Sequence, residues 1–320
     1  MKKIKKIARN ILREIRKHNY IIIFHHVRPD GDCLGSQHGL KLWLQQKFPN
    51  KKIYAVGSNE ELFNFLNFKF DSIPSDEILK KSLGIVVDAN NIDRIVCNEL
   101  LIEKKINKLI RIDHHPVEDD FDYFYRWVDS SYCSSAEQIT HLIYSIDNKP
   151  LNKEIATFLY LGIYTDSGRF FYDYTSSRTH ELTSWLFSSN FDFFDLHKKL
   201  SKRTISELKL NKYILENYKT YENVIYCFLP FEQIQKIGIN QSESNRVDFL
   251  ANIEGYDIWI LFIENNDKTI RARLRSSEKD ISILAQEYGG GGHKKASGAL
   301  LNNVEQIEQL IKKASKLTLK

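Results

Sequence analysis

Arg111-Ile112-Asp113-His114-His115-Pro116 decides how this chain is read. It follows Lys108-Leu109-Ile110, a short apolar run with the character of a buried strand end. A carboxylate and two imidazoles closed by proline neither continue a strand well nor start a helix. On an extended backbone successive side chains point to opposite sides. The spacing therefore predicts Asp113 and His115 facing one way and His114 the other, so that one triplet serves two neighbours. A polar loop that happens to hold two histidines would look the same in isolation. What separates the two readings is the company this stretch keeps.

Other apolar runs end in the same fashion. Tyr20-Ile21-Ile22-Ile23-Phe24 reads as a central strand and runs into His25-His26-Val27-Arg28-Pro29-Asp30-Gly31-Asp32, where Pro and Gly predict a strand-tip loop. Gly84-Ile85-Val86-Val87 ends abruptly in Asp88, and Ile53–Val56 and Tyr125–Val128 complete a set of five strands. Helices are predicted over Gly35–Phe48, Ser135–Ile146 and Lys153–Tyr164, with Asp166 just past the last of them. Strands alternating with helices predict a parallel α/β sheet, and ligands of such sheets bind beyond the carboxyl ends of the strands. Three strand ends here deliver histidine or carboxylate. Grouped, desolvated carboxylates are costly without compensating cations. Asp166 adds to them at a helix C-terminus, where the dipole already disfavours negative charge.

The C-terminal part has a different character. Helices continue through Ser176–Ser189 and Phe193–Tyr218, the second expected to connect two domains. Beyond it, Val224–Leu229, Tyr256–Glu264 and Thr269–Arg275 read as strands, with helices near Arg246–Ile253, over Ile281–Tyr288 and over Val304–Leu317. Alternation puts Arg271, Arg273 and Arg275 on one strand face, an arrangement that suits an anion. The run Gly289-Gly290-Gly291-Gly292-His293-Lys294-Lys295 permits close backbone approach and offers N–H groups to a phosphate. The expected division is residues 1–190 for a metal-binding domain, 191–218 for a helical linker and 219–320 for a substrate-binding domain.

With 320 residues the chain is too long for one ordinary core. Its 42% hydrophobic and 27% charged content is that of a soluble globular protein and excludes a disordered or membrane-embedded one. The net charge of +5 suits a phosphorylated substrate, though a lysine-rich composition would produce it equally. Cys33, Cys97, Cys133 and Cys227 form no C-x-x-C pair and read as small buried hydrophobes in a reducing compartment. No apolar run spans a membrane. Ile4, Ile7, Ile11, Leu12 and Ile15 predict an amphipathic first helix packed on the domain rather than a signal peptide. The expectation is a cytoplasmic protein with no membrane association. A homodimer is compatible with this reading.

His26, Asp30, Asp32, Asp88, His114 and Asp166 are sufficient to hold two divalent ions with one carboxylate bridging. Oxygen and nitrogen donors without thiolate suit Mn²⁺, with Mg²⁺ or Co²⁺ as alternatives. Such a pair, about 3.5–4 Å apart, supports hydrolysis of a phosphate ester. His115 is then available to a phosphoryl oxygen or a leaving group, and His25 reads as a hydrogen-bonded strand-end residue.

Six segments in order, His26-Val27-Arg28-Pro29-Asp30-Gly31-Asp32, Val87-Asp88, Asp113-His114-His115-Pro116, Tyr164-Thr165-Asp166-Ser167-Gly168, Leu274-Arg275-Ser276 and Gly290-Gly291-Gly292-His293, resemble the DHH phosphoesterase family. The closest resemblance is to its subfamily of nanoRNases that also dephosphorylate 3′-phosphoadenosine-5′-phosphate (pAp). The resemblance implies that His26 and Asp30 bind one manganese, that Asp32, His114 and Asp166 bind a second, and that Asp88 bridges them. It implies that His115 contacts the scissile phosphate, while Arg273, Arg275, Ser276, Gly291, Gly292 and His293 hold the substrate, with Ser36 and Arg169 beside it. It also implies an active site in a cleft between the two domains, and oligonucleotides of a few residues, or nucleotides, as substrates. A cyclic-di-AMP or pApA phosphodiesterase would use the same scaffold. A nucleotide sensor without turnover is the alternative from another class, but would have no need of a complete two-metal set.

Overall fold

The computed structural model describes residues 2–116, 120–239 and 247–317, and the chain divides into two units, Met1–Ser201 and Lys202–Lys320. The first contains α1 (Lys2–Lys17), β1 (Tyr20–Phe24), α2 (Gly31–Lys47), β2 (Lys52–Ala55), α3 (Asp76–Lys80), β3 (Ser82–Val87), α4 (Glu99–Ile102), β4 (Lys108–Asp113), β5 (Tyr125–Val128), α5 (Ser135–Ile146), α6 (Lys153–Asp166), α7 (Ser177–Phe187) and α8 (Phe193–Leu200). Its five strands are all parallel in the order β2-β1-β3-β4-β5. The order reverses between β1 and β3, the position at which such sheets open a crevice for ligands.

Alternation assigns the two faces. Ile21, Ile23, Ile85, Val87, Ile110 and Ile112 point into one core, roofed by α1, α2, α5 and α6. Ile22, Phe24, Val86 and Leu109 point into the other. Ile21 to Phe24 are fully buried, so β1 is apolar on both faces, as a central parallel strand must be. Each such side chain contributes about 1.5–3 kcal/mol by burial.

Two features set where the carboxylates stand. Asp30 is the N-cap of α2: its Oδ1 accepts hydrogen bonds from the amides of Asp32 and Cys33, both at 3.0 Å. The helix consequently starts at Gly31, a turn before the predicted Gly35, because the aspartate supplies the acceptor that a Pro-Asp-Gly sequence otherwise lacks. The second is a close crossing of α2 and α6. A Cβ on Gly35 would lie 2.3 Å from the carbonyl oxygen of Phe158, and one on Gly162 would lie 2.5 Å from the Ala136 methyl and 2.9 Å from Oδ1 of Asp32. Only glycine permits that approach, and it brings Asp32 of α2 next to Asp166, which ends α6.

The predicted Phe193–Tyr218 helix is two helices. Thr204 caps a new helix, α9 (Ile205–Asn217), its Oγ1 accepting from the amide of Glu207 at 3.1 Å while Glu207 accepts from the amide of Thr204 at 3.3 Å. Leu196 packs in the core of the first unit, and Leu210 and Ile214 in that of the second.

The second unit continues with β6 (Lys219–Tyr221), β7 (Val224–Leu229), α10 (Phe231–Ile237), β8 (Ile258–Glu264), β9 (Ile270–Ser276), α11 (Ser282–Glu287), β10 (Gly291–His293), β11 (Ala296–Leu301) and α12 (Glu305–Ser315). Its sheet has the order β10-β11-β9-β8-β7-β6, mixed because only β7 and β8 are parallel. In place of the helix predicted near Arg246–Ile253 stands a single 3-10 turn, Val247–Leu250; Arg246 lies outside the described residues. No helix among the described residues is long and apolar enough to cross a membrane.

If the close crossing is what places Asp32, Gly35→Ala should cost roughly 1–3 kcal/mol, read by urea denaturation. A variant of unchanged stability would show that α2 and α6 have room to spare.

Candidate metal and active site

β1, β3 and β4 are neighbours, and the chain leaves each of them with histidine or carboxylate: His26, Asp88, and the run Asp113-His114-His115. The first turn of α2 returns Asp30 and Asp32 to the same edge, and Asp166 arrives from α6. His26 Nε2 lies 3.4 Å from Oδ2 of Asp30 and 3.5 Å from Oδ2 of Asp88. His114 Nε2 lies 3.5 Å from Oδ1 of Asp88, 3.8 Å from Oδ2 of Asp32 and 3.3 Å from Oδ2 of Asp166. The structure thus brings all six predicted residues together.

These separations exceed those of good N–H···O hydrogen bonds. They are close to the ligand–ligand edges around an ion with bonds of about 2.1 Å, roughly 3.0 Å for octahedral and 3.4 Å for tetrahedral geometry. Asp88 presents one oxygen to His26 and the other to His114, the disposition of a bridging carboxylate. Electrostatics argue the same way. Burial first, and the charge of Asp32 second, hold Asp88 and Asp166 well above the ordinary carboxylate range. Burial also raises Asp32, although His114 pulls the other way. Carboxylates packed so closely resist ionising together unless a cation joins them. The donor set therefore fits a pair of divalent ions.

Each carboxylate is held by its local backbone. The Asp32 oxygens accept from the amides of Ser135 at 2.7 Å and Ala136 at 2.8 Å, the first turn of α5, where the helix dipole favours negative charge. The hydroxyl of Ser36 donates to Asp32 at 3.2 Å, and that of Ser135 to Asp88 at 3.2 Å. Asp88 adopts φ +57, unusual for a residue other than glycine, and its amide donates to the carbonyl of Ile112 at 3.0 Å. Such backbones persist where the surroundings enforce them, typically at functional sites.

His115 and Asp113 share a side, as alternation predicts, but His114 does not point away from them. The two imidazole centroids are 4.3 Å apart, and His115 Nδ1 lies 3.5 Å from Oδ1 of Asp88. β4 ends at Asp113, so the strand alternation lapses one residue before it would have separated the rings. Asp113 itself orients His115, accepting from its backbone amide at 3.0 Å and from Nδ1 at 2.7 Å. Its other oxygen binds the guanidinium of Arg111, which is fully buried.

The model of the DHH family, N-terminal domain, matches residues 20–163, and that of the DHHA1 domain matches residues 222–319. The chain belongs to the DHH phosphoesterase family. A Mycoplasma genitalium protein named bifunctional oligoribonuclease and PAP phosphatase NrnA is 41% identical over 301 residues, 94% of either chain. A Bacillus subtilis protein of the same name is 34% identical over 307 residues, 94% of this chain and 95% of its own. The crystal structure of an exopolyphosphatase-related protein from Bacteroides fragilis has 25% identity and a TM-score of 0.87, covering 96% of each chain. DHH phosphoesterases depend on metal, and the groups around Asp88 are candidate ligands in this one.

Within the DHHA1 domain, Arg271, Arg273 and Arg275 do share one face of β9, their neighbours Ala272, Leu274 and Ser276 being buried on the other. Arg275 Nη1 donates to the carbonyl of Leu274 at 2.9 Å, and its Nε stands 4.0 Å from Asp248. Gly291 and Gly292 lie on the edge strand β10. A Cβ at Gly292, φ +139, would come within 2.5 Å of the carbonyl of Ala296, so glycine is what lets β10 pair with β11. The side chain of His293 lies outside the described part of the structure. The hydroxyl of Ser276 is engaged in the turn that follows β9, donating to the carbonyl of Lys279 at 2.8 Å and accepting from its amide at 2.6 Å.

Several contributors went unnoticed in the sequence. Ser135 acts only through the approach of α5. Cys33 stands beside His26 and Asp30 and accepts from the amide of Asp30 at 3.3 Å; burial, then the Asp30 charge, push its thiol up to about 12. His25 is the buried strand-end residue expected, held at 2.8 Å on the carbonyl of His26. The loop after Asp166 exposes Phe171, Tyr172 and Tyr174, and the Tyr174 hydroxyl donates to the carbonyl of Asp166 at 3.1 Å. Of these rings the Arg-Phe-Phe-Tyr sequence was a signal, since exposed aromatics in a row seldom serve a core. Arg169, in the same loop, is exposed at φ +63.

Asp88→Asn should abolish phosphoesterase turnover and the rise in Tm on adding Mn²⁺, while the metal-free variant melts no lower than the parent, because a desolvated carboxyl has been removed. Retained Mn²⁺ stabilisation would contradict the bridging role. A carboxyl raised by burial stabilises the metal-free fold in acid, and that contribution is lost as pH rises through the raised value; a divalent ion reverses the penalty. Mn²⁺ should therefore raise Tm more at about pH 7.5 than at about pH 5, measured by scanning fluorimetry. Equal shifts would mean that these groups do not hold the ion.

Proposed function

We propose that the protein is a manganese-dependent phosphoesterase that degrades very short RNA oligonucleotides to mononucleotides and removes the 3′-phosphate of pAp. The observation that carries the reading is the six-residue cluster about Asp88, together with relatives so named that match both domains. Two imidazoles among the donors favour manganese over magnesium, with cobalt as a substitute. Bound there, the ion pair supplies an activated water and charge neutralisation at the attacked phosphoryl group.

The chain's own groups do the rest. Nδ1 of His115 is held by Asp113, and Nε2 is the atom we assign to proton handling at a phosphoryl oxygen or the departing hydroxyl. Asp113, fixed by Arg111, keeps that ring in one orientation. Arg275 and Arg273, with the Gly291–His293 strand, take a second phosphate of the same substrate. The exposed rings of Phe171 and Tyr172 offer stacking faces for a base, which supports a nucleotide over a bare phosphate chain.

With Mn²⁺ and a panel of pAp, di- to pentaribonucleotides, pApA and cyclic di-AMP, products resolved by chromatography should show the first two classes consumed at the highest kcat/KM. Preference for cyclic di-AMP or pApA would overturn the assignment, and binding without hydrolysis would make the protein a sensor. Arg275→Ala should raise KM for pAp about tenfold or more, the worth of a charged hydrogen bond, yet leave the rate on p-nitrophenyl phosphate nearly unchanged. Equal losses on both would contradict its role in holding the second phosphate.

A further inference from the structure

The first seventeen residues carry eight basic side chains, among them Lys6, Arg9, Arg13 and Arg16, against the single acid Glu14. That segment has a charge of +7 while the whole chain has +5, so the remaining residues together stand at −2. The basic balance is therefore the property of one helix, not of a lysine-rich composition.

Packing decides where this charge points. Ile4, Ala8, Ile11, Leu12 and Ile15 are buried in the core of the first unit. Glu14 also turns inward and meets Lys17 at 2.8 Å and Lys108 at 3.4 Å. With its apolar stripe covered by its own domain, α1 has nothing to insert into a bilayer. Lys6, Arg9, Arg13 and Arg16 recur every three or four residues, a step of about 5 Å along the axis, and with Asn10 they line one surface groove. Among the described residues no acid lies within ion-pair distance of Lys6, Arg9 or Arg16, and Arg13 meets only Glu14, at 3.9 Å. Lys51 adds a further cation beside the last turn, its Nζ donating to the carbonyl of Arg16 at 3.1 Å. Such a row is matched by a polyanion whose charges recur every few ångströms.

The helix is also placed to serve the site. Lys3 pairs at 3.4 Å with Asp129, whose amide donates to the carbonyl of Asp113. At the other end α1 stops at Lys17, two residues before β1 begins. α1 thus runs from the sheet edge that carries the ligand cluster to the opposite edge. We propose that its outward face is a docking surface for the phosphate backbone of single-stranded RNA, separate from the metal site and leading away from it. The choice of RNA among polyanions rests on the function proposed above. A surface of cations alone reads no bases, so binding is independent of sequence.

The test is fluorescence anisotropy of a labelled RNA of about 16 nucleotides, with EDTA present so that no cleavage occurs, comparing the parent with Lys6→Glu/Arg9→Glu/Arg16→Glu. Loss of three phosphate contacts should raise Kd about tenfold or more near 100 mM salt and reduce the slope of log K against log salt by about two. Hydrolysis of pAp with Mn²⁺ should stay within about twofold of the parent. Should the charge reversal impair folding, the triple glutamine variant must show the same direction of change. Unchanged RNA affinity overturns the proposal. So does co-sedimentation of the parent with phosphatidylserine vesicles that the variant loses while still binding RNA. Docking that depends on α1 in a protein that cleaves no oligonucleotide would sink the proposed function and leave the docking surface standing.

Discussion

Negative charge confined at one sheet edge is the constraint on which the rest of this structure depends. Asp32 and Asp88 are almost wholly buried, Asp166 stands beside them, and burial raises all three carboxyls. Two backbone amides and a helix dipole partly stabilise Asp32, whereas among the described residues no amide donates to the Asp166 carboxylate, which sits at the unfavourable end of α6. Left to themselves such groups would protonate or separate. Their retention makes sense if the resting state of the domain contains cations, and the N···O distances around His26 and His114 have the size that cations would set.

The scaffold makes this crowding geometrically possible. Three neighbouring parallel strands end together, the α2 N-terminus folds back over their tips, and a glycine-lined crossing lets α6 approach α2 closely enough for Asp166 to join. The strain held at Asp88 belongs to the same economy: a left-handed residue directs both of its oxygens toward opposite imidazoles.

Much of this was legible in the sequence. An acid or histidine at the tip of an apolar run is anomalous for a strand that merely continues into a loop, and that anomaly named His26, Asp88 and His114. β1, β5 and β7 matched their predicted spans, and the other predicted strands stood within two residues of theirs. What could not be read depended on tertiary approach. Ser135 reaches Asp32 and Asp88 only because α5 docks there. Thr204 breaks what periodicity alone presents as one helix, through a side-chain cap whose strength no hydrophobic pattern reports. Ser276 belongs to a matched motif, yet its hydroxyl is engaged in a turn. The rings of His114 and His115 escaped the predicted opposition because the strand stopped under them.

The buried contact between Arg111 and Asp113 has a consequence for how mutants of this protein should be interpreted. Asp113 is simultaneously the anchor of an imidazole and a counter-charge to a guanidinium sealed in the interior. Removing one member of such a pair typically costs about 3–5 kcal/mol. A dead Asp113 variant is thus first a report on a buried guanidinium that has lost this counter-charge, and says little about chemistry until Arg111 has been replaced along with it.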